Sequence, residues 1–224
     1  MIRTDQVKLK LLPLDQYLGV NRDDPLRFYS WPIIGGMYRR RVELCLAECR
    51  GGDKVLEVGF GSGVSFLNLH DKYRVIYGLD LTAAAKHIEV FFQKLNIEAN
   101  LTNGNVLEMP YTDDFFDTVL LISILEHLKP EEQERAFGEI RRVLKPGGQV
   151  VYGVPAERRL MTWTFRLMGV NIRNQHFSTE KDVYKAATRI LIPIKLLKME
   201  SFLPFLGAVY EIGHFVKAEK PDRR

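Results

Sequence analysis

Cysteine is scarce in this sequence: Cys45 and Cys49 are the only two among 224 residues. Spaced i, i+4, they share one face of a helix, and a metal site there would need further His or Cys ligands that do not occur nearby. The pair reads as helix packing by small buried side chains, so no metal is expected, and a reducing compartment, the cytoplasm, fits. Uninterrupted apolar runs are also missing. Arg3, Asp5, Lys8, Lys10 and Asp15 break up the stretch from Met1 to Val20, so no secretory signal is expected. The most apolar late stretch, Ile190 to Tyr210, carries Lys195, Lys198 and Glu200, which argues against a spanning helix. Proline, glycine and serine form no tract that reads as a disordered linker, and no internal repeat is evident.

What is present suits one α/β core. A chain of this length with 46% hydrophobic residues can bury one good core but is short for two. The net charge of +4 conceals a division. Residues 51–155 hold ten basic and fifteen acidic side chains, whereas residues 156–224 hold thirteen and seven. Basic segments beside an acidic middle suit an anionic substrate, nucleic acid or membrane, or are simply a solvated surface.

From Asp53 onward, short apolar runs alternate with longer amphipathic ones, the pattern of βαβ units. Strands are expected at Lys54–Val58, Arg74–Leu79, Glu98–Thr102, Asp117–Ile122 and Gln149–Val154. Helices are expected at Val64–His70, Ala83–Leu95 and Glu131–Leu144, the last stopped by Lys145-Pro146-Gly147-Gly148. Beyond Pro155, Glu157–Met168 and Thr179–Ile192 read as helical and Val209–Ala218 as a final strand. Ahead of the sheet, Phe28, Tyr29, Trp31 and Tyr38 precede a helix over Met37–Cys49. That helix packs either on the sheet or across its carboxyl edge as a lid.

The segment Val55-Leu56-Glu57-Val58-Gly59-Phe60-Gly61-Ser62-Gly63 joins a strand ending in a carboxylate to three alternate glycines. Ligands of open α/β sheets bind beyond the carboxyl ends of the strands, where this loop falls. Glycine there permits positive φ and close approach of a ligand to backbone. A dinucleotide fingerprint would need a small residue where Val64 stands, and Glu57 would repel a pyrophosphate while suiting an amine-bearing ligand. Asp80, closing the second strand, can accept ribose hydroxyls. Asn105, after the third strand, offers a donor and an acceptor to an adenine edge, or serves as a turn residue.

With Gly78-Leu79-Asp80, Asn105-Val106-Leu107-Glu108-Met109-Pro110-Tyr111, Phe116-Asp117-Thr118-Val119, Leu125-Glu126-His127-Leu128 and Arg142-Val143-Leu144-Lys145-Pro146-Gly147-Gly148, the chain resembles class I S-adenosylmethionine-dependent methyltransferases. The resemblance is closest to the ubiquinone and menaquinone type, and it covers residues 51–155. It implies a Rossmann-like, seven-stranded, mostly parallel sheet with helices on both faces and an antiparallel last strand. It implies S-adenosyl-L-methionine as cofactor, with Glu57, Gly59, Phe60, Gly61 and Gly63 near its methionine part, Asp80 at its ribose and Leu81 among its further contacts. Asn105, Val106 and Ile122 complete the expected contacts. Asn105 stands where the family usually has aspartate, which weakens or reorients a bond to the adenine amino group.

The expected organisation is a single domain: residues 1–50 a helical lid, 51–155 the cofactor core, 156–224 the substrate cover and last strands. His127 and His176 are the candidate proton-transfer or substrate-contact residues, each with a plain structural alternative at a helix start. Trp163 and Phe165, in the Met161–Met168 stretch, line an apolar pocket or belong to ordinary core. Arg158, Arg159 and Arg189–Lys198 form a surface for a lipid or anionic head group, or an amphipathic cover for the sheet. The expected activity is methyl transfer to a small-molecule or lipid-like acceptor. The alternatives are an RNA methyltransferase, disfavoured by Ile122-Ser123-Ile124-Leu125 where an Asn-Pro-Pro-Tyr-like tetrapeptide would stand, and a non-catalytic cofactor-binding protein.

Overall fold

In the computed structural model, residues 7–17, 25–32, 34–156, 177–201 and 207–219 are described. Seven strands form one sheet in the order β3-β2-β1-β4-β5-β7-β6: β1 Gly52–Val58, β2 Tyr73–Asp80, β3 Ala99–Asn103, β4 Phe116–Ile122, β5 Leu144–Pro155, β6 Ile192–Glu200 and β7 Ala208–Val216. The first five pair in parallel, while β7 runs antiparallel to both β5 and β6. This is the Rossmann-like sheet that the resemblance implies.

The helices are α1 Ile34–Glu48, α2 Phe66–His70, α3 Ala85–Lys94, α4 Pro130–Val143 and α5 Glu180–Ile190. Alternation along each strand sends successive side chains to opposite faces, so the molecule has two cores. Val55, Ile76, Leu120 and Val151 meet Leu46 of α1, Phe66 and Leu69 of α2 and Phe92 of α3 on one face. Leu56, Leu79, Val119 and Val150 meet Phe137 and Ile140 of α4 and Val183 and Ala187 of α5 on the other. Burial of such side chains contributes about 1.5–3 kcal/mol each, which fixes the register of strands and helices together.

α1 lies on the sheet face against β4, β5 and β7. Its last turn sits at the amino edge of the sheet, where Lys72 Nζ donates to the carbonyls of Leu46 (2.7 Å) and Cys49 (2.8 Å). Its middle reaches the opposite edge, where Arg41 Nη1 donates to Ser123 Oγ (3.2 Å), just beyond β4. Cys45 and Cys49 are both free and buried, as the spacing predicts.

One difference from the sequence reading stands out. The Arg189–Lys198 stretch does not form an amphipathic cover; most of it is β6, an edge strand leaving Ile192, Ile194 and Leu196 exposed. Its three lysine or proline interruptions and short span fit a strand paired on one side only. The Lys145-Pro146-Gly147-Gly148 stop also opens the fifth strand. It forms an irregular start to β5, between the Phe116↔Leu144 and Thr118↔Gln149 pairs, with Gly147 at φ 73°. Arg158, Arg159, Trp163, Phe165 and the expected helix Glu157–Met168 lie outside the described residues, as does His176. No helix among the described residues is long and apolar enough to cross a membrane.

Candidate functional site

The carboxyl ends of β1, β2, β3 and β4 converge on one edge, and the glycine loop begins there. Gly59, Gly61 and Gly63 all have positive φ, at 71°, 51° and 76°. Glycine is needed at Gly59 for a second reason: an added Cβ would fall 1.9 Å from Ile124 Cδ1. The loop and the residue after β4 are thus packed face to face, with no room for a side chain between them.

Glu57 ends its strand inside the protein, only 4% exposed. Its carboxylate accepts a hydrogen bond from Ser65 Oγ. Among the described residues no cation lies within ion-pair range of it. Burial is the main cause that lifts its pKa from 4.5 to about 8; the Ser65 hydrogen bond opposes that rise, and the negative charge of Asp80 adds to it. A carboxylate kept this far from water without a cation is a site waiting for positive charge.

Asp80 is partly exposed and organises the neighbouring backbone. Its Oδ2 accepts from the Gly61 amide (3.0 Å), and its Oδ1 accepts from the amides of Thr82 (2.8 Å) and Ala83 (2.9 Å). It therefore ties the glycine loop to the entry of α3 and still presents carboxylate lone pairs at the edge. Leu81 beside it is 68% exposed, an apolar side chain left open at the same edge. Asn105 is exposed, and its Oδ1 accepts from the Leu107 amide (2.9 Å), a turn closed on itself that leaves the side-chain NH2 as the group able to reach outward. Val106 is buried and Ile122 half-buried.

The Phe60 ring points inward instead of outward. It is buried against Gly78, where an added Cβ would meet Phe60 Cδ1 at 2.6 Å, and lies 6.0 Å from the Phe66 ring. Only the backbone of Phe60 faces the loop. His127 is exposed on a single turn, Leu125–His127, its amide donating to the Ile124 carbonyl (3.0 Å). The chain returns to this turn where Phe177 and Ser178 both donate their amides to the Glu126 carbonyl and Ser178 Oγ donates to the Leu128 carbonyl (2.6 Å). Thr179 caps α5, accepting from the Asp182 amide.

The sequence reading passed over Arg41, Ser123 and Tyr210. Ser123 holds φ 58°, a left-handed conformation unusual for serine. Its amide donates to the Gly153 carbonyl (2.8 Å) and its Oγ lies 2.9 Å from Tyr210 Oη. The available signal was Arg41 itself. It shares the buried face of α1 with Tyr38 and Cys45, three before and four after, where an apolar residue would be ordinary.

A family model described as a methyltransferase domain matches residues 56–152. A probable S-adenosylmethionine-dependent methyltransferase of Mycolicibacterium smegmatis is 33% identical over 109 residues, 48% of this chain and 40% of that protein. Phthiotriol/phenolphthiotriol dimycocerosates methyltransferase 1 of Mycobacterium ulcerans is 31% identical over 168 residues, covering 72% of this chain and 56% of its own. The chain spans about half the length of the curated relatives it matches. Among solved structures, the N-methyltransferase NodS of Bradyrhizobium japonicum, in complex with S-adenosyl-L-homocysteine, superposes with a TM-score of 0.66 at 19% identity, covering 92% of this chain and 97% of that one. That likeness shows the fold.

Proposed function

Because the chain belongs to the class I S-adenosylmethionine-dependent methyltransferases, we propose that it transfers a methyl group to a small-molecule or lipid-like acceptor held over the carboxyl edge of the sheet. One observation carries this reading: a buried carboxylate without a cation, Glu57, opens a glycine loop that the ribose-type acid Asp80 holds in place. The donor set fits S-adenosylmethionine. Glu57 suits the ammonium of the methionine part, Asp80 the ribose diol, and the exposed Leu81 an adenine face. The Asn105 NH2 and the backbone beside Val106 suit the adenine edge. Gly59, Phe60, Gly61 and Gly63 contribute backbone, and Ile122 lies at the end of β4 beside them.

When bound, the cofactor supplies an electrophilic methyl on a sulfonium. The work left to the chain is alignment and exclusion of water, for which effective molarities leave ample scope. Ile124, seated on Gly59, walls the loop; Glu57 neutralises positive charge in a dry setting, where a charge pair counts for more than in water. His127, exposed at the rim, serves here as a boundary of the acceptor space, and His176 is carried as a substrate contact on its place in the sequence alone. The organisation proposed is one domain, with residues 51–155 as cofactor core and the flanking segments 1–50 and 156–224 covering the acceptor. Alignment with the Mycobacterium ulcerans relative over 72% of this chain supports a small-molecule or lipid-like acceptor over a macromolecule. Two buried free thiols support a cytoplasmic setting.

Calorimetric titration with S-adenosylmethionine and S-adenosylhomocysteine tests the reading, with Asp80→Ala as control. Micromolar binding to wild type, lost in the variant, is expected. A folded wild-type protein that binds neither ligand would overturn it.

A further inference from the structure

Arg41 is the one cation on the buried face of α1 at this edge, and its surroundings are unusual. The guanidinium lies 4.1 Å from the centre of the Tyr38 ring and 6.0 Å from that of Tyr210, and the Tyr29 hydroxyl bonds to it as well. Nη1 donates to Ser123 Oγ (3.2 Å), but Nε is sealed from solvent and has no hydrogen-bond partner. Among the described residues no carboxylate lies in ion-pair range. Arg142 pairs with Glu139 and Asp113, Arg74 with Asp53 and Glu98, and Arg189 with Glu134, while Arg39 and Arg135 donate to the carbonyls of Tyr29 and Leu107. An arginine does not escape burial by losing its proton. A guanidinium whose Nε is sealed and unpartnered, with no carboxylate in range among the described residues, therefore leaves a donor unmet in the ligand-free protein.

We propose that Arg41, Ser123 and Tyr210 form an anion-recognising subsite that holds a carboxylate or phosphate group of the methyl acceptor. The inference rests on the methyltransferase reading for the word acceptor, but the anion site stands on its own geometry. Ser123 is followed directly by Ile124, whose side chain lies against Gly59, so the cluster adjoins the glycine loop on the β4 and β5 side. Arg41, Ser123 and Tyr210 can each donate, and the guanidinium offsets the buried Glu126 carboxylate whose charge reaches Tyr210. The guanidinium offers a planar fork matched to two oxygens of a carboxylate or phosphate. The Ser123 hydroxyl and the Tyr210 phenol are mutually bonded at 2.9 Å, and either can be the donor. Burial, the largest cause, holds the phenol well above its usual pKa, so it stays a neutral donor. The left-handed backbone of Ser123 aims its Oγ at Arg41, a local strain consistent with a binding role. Tyrosine faces around the cation hold it in place without neutralising it.

The test uses the full chain with arginine side chains labelled for NMR, with and without S-adenosylhomocysteine, at constant ionic strength. Benzoate and inorganic phosphate are titrated, with benzamide as the neutral counterpart. We expect benzoate or phosphate, but not benzamide, to shift the Arg41 Nε resonance. The stronger of the two names the acceptor's head group. In Arg41→Gln, binding of that anion falls at least about tenfold, while affinity for S-adenosylhomocysteine stays within about twofold; Arg41→Lys, which keeps the charge and loses the fork, falls in between. The proposal is overturned if neither anion moves the Arg41 resonance, if benzamide matches the anions, if Arg41→Gln binds them as wild type does, or if Arg41→Gln loses S-adenosylhomocysteine affinity, which would assign the guanidinium to the cofactor's own carboxylate. The resonance experiment needs no variant, so a misfolded substitution leaves it decisive. Failure of S-adenosylhomocysteine to bind while the anions still shift Arg41 would instead remove the methyltransferase reading and leave the anion site.

Discussion

The two edges of the sheet are built on opposite terms. At the amino edge the best-placed charges are paired: Asp117 accepts from the amides of Asp53 (3.0 Å) and Lys54 (2.8 Å) and from Lys145 Nζ (2.6 Å), and Lys217 Nζ donates to Asp114 (2.6 Å) and to the Leu144 carbonyl (2.7 Å). At the carboxyl edge, among the described residues, Glu57 is buried with no cation in ion-pair range and Arg41 has no carboxylate in ion-pair range. One edge closes the fold, whereas the other keeps demands that a ligand would meet. Stability and binding should therefore separate by edge.

The sharpest way to break the comparison is at Gly59. In Gly59→Ala the new Cβ would fall 1.9 Å from Ile124 Cδ1 at φ 71°. Strain of about 1–3 kcal/mol, added to the displacement of Ile124, should weaken S-adenosylhomocysteine binding at least about 100-fold by calorimetry. Near-normal affinity would show that the loop tolerates a side chain and is not the tight cradle described.

Glu57 comes next and gives the comparison a sign. The folded protein keeps the Glu57 proton up to about pH 8, while the unfolded chain releases it near 4.5, so between these values the folded state binds more protons. Stability of the ligand-free protein from this group is then greatest below 4.5 and falls as pH rises towards 8, by on the order of a few kcal/mol. Cofactor affinity should move the other way, rising with pH until Glu57 ionises, because an ammonium ligand needs the carboxylate. At pH 7 binding should release close to one proton, read as a dependence of the calorimetric enthalpy on buffer ionisation enthalpy. Glu57→Gln should raise thermal stability at pH 8, abolish the proton release and weaken binding about 10- to 100-fold, the cost of losing a charged partner in a dry site. Unchanged binding with unchanged proton release would detach Glu57 from the cofactor.

Much of the parallel half of this design was legible in advance because its signals are local. Five strands and their connecting helices follow from short apolar runs, and the glycine loop, Glu57 and Asp80 sit within a few residues of one another in each motif. β6 was not legible: an edge strand carries little burial, so Ile192, Ile194 and Leu196 alternate with nothing that distinguishes a strand from a surface helix. The position of the Phe60 ring was not legible for a related reason, since the space that accepts it is made by Gly78 on another strand. Arg41, Ser123 and Tyr210 are separated by 82 and 87 positions, and only the fold brings them together.

At the amino edge the expected effects shrink and change kind. Lys145→Met removes one ion pair from Asp117, whose Oδ2 keeps both backbone amides. With the pair about one-third exposed on the lysine side, denaturant unfolding should show a loss of only about 1 kcal/mol or less. Affinity for S-adenosylhomocysteine should stay within about twofold. A large fall in affinity with little loss of stability would mean that the edges are coupled through β4 and that the division is not one of function.

The smallest effect is expected at His127, and it tests where the demanding part of the carboxyl edge stops. Unlike Glu57 and Arg41, His127 is exposed, on a single turn held by backbone hydrogen bonds. Its side chain is exposed, so replacing it leaves no buried charge or cavity, and a surface change of this kind shifts stability by about 0.5 kcal/mol or less. Once a wild-type screen with labelled S-adenosylmethionine has found an acceptor, His127→Ala should keep kcat/KM for it within about twofold, with an unchanged pH profile. A loss of about 100-fold that also removed the acidic limb of the profile would make His127 the proton acceptor in the transfer. The boundary would then move outward from the Glu57 and Arg41 interior to the exposed turn, and exposure would no longer separate the residues that act from those that only frame the site.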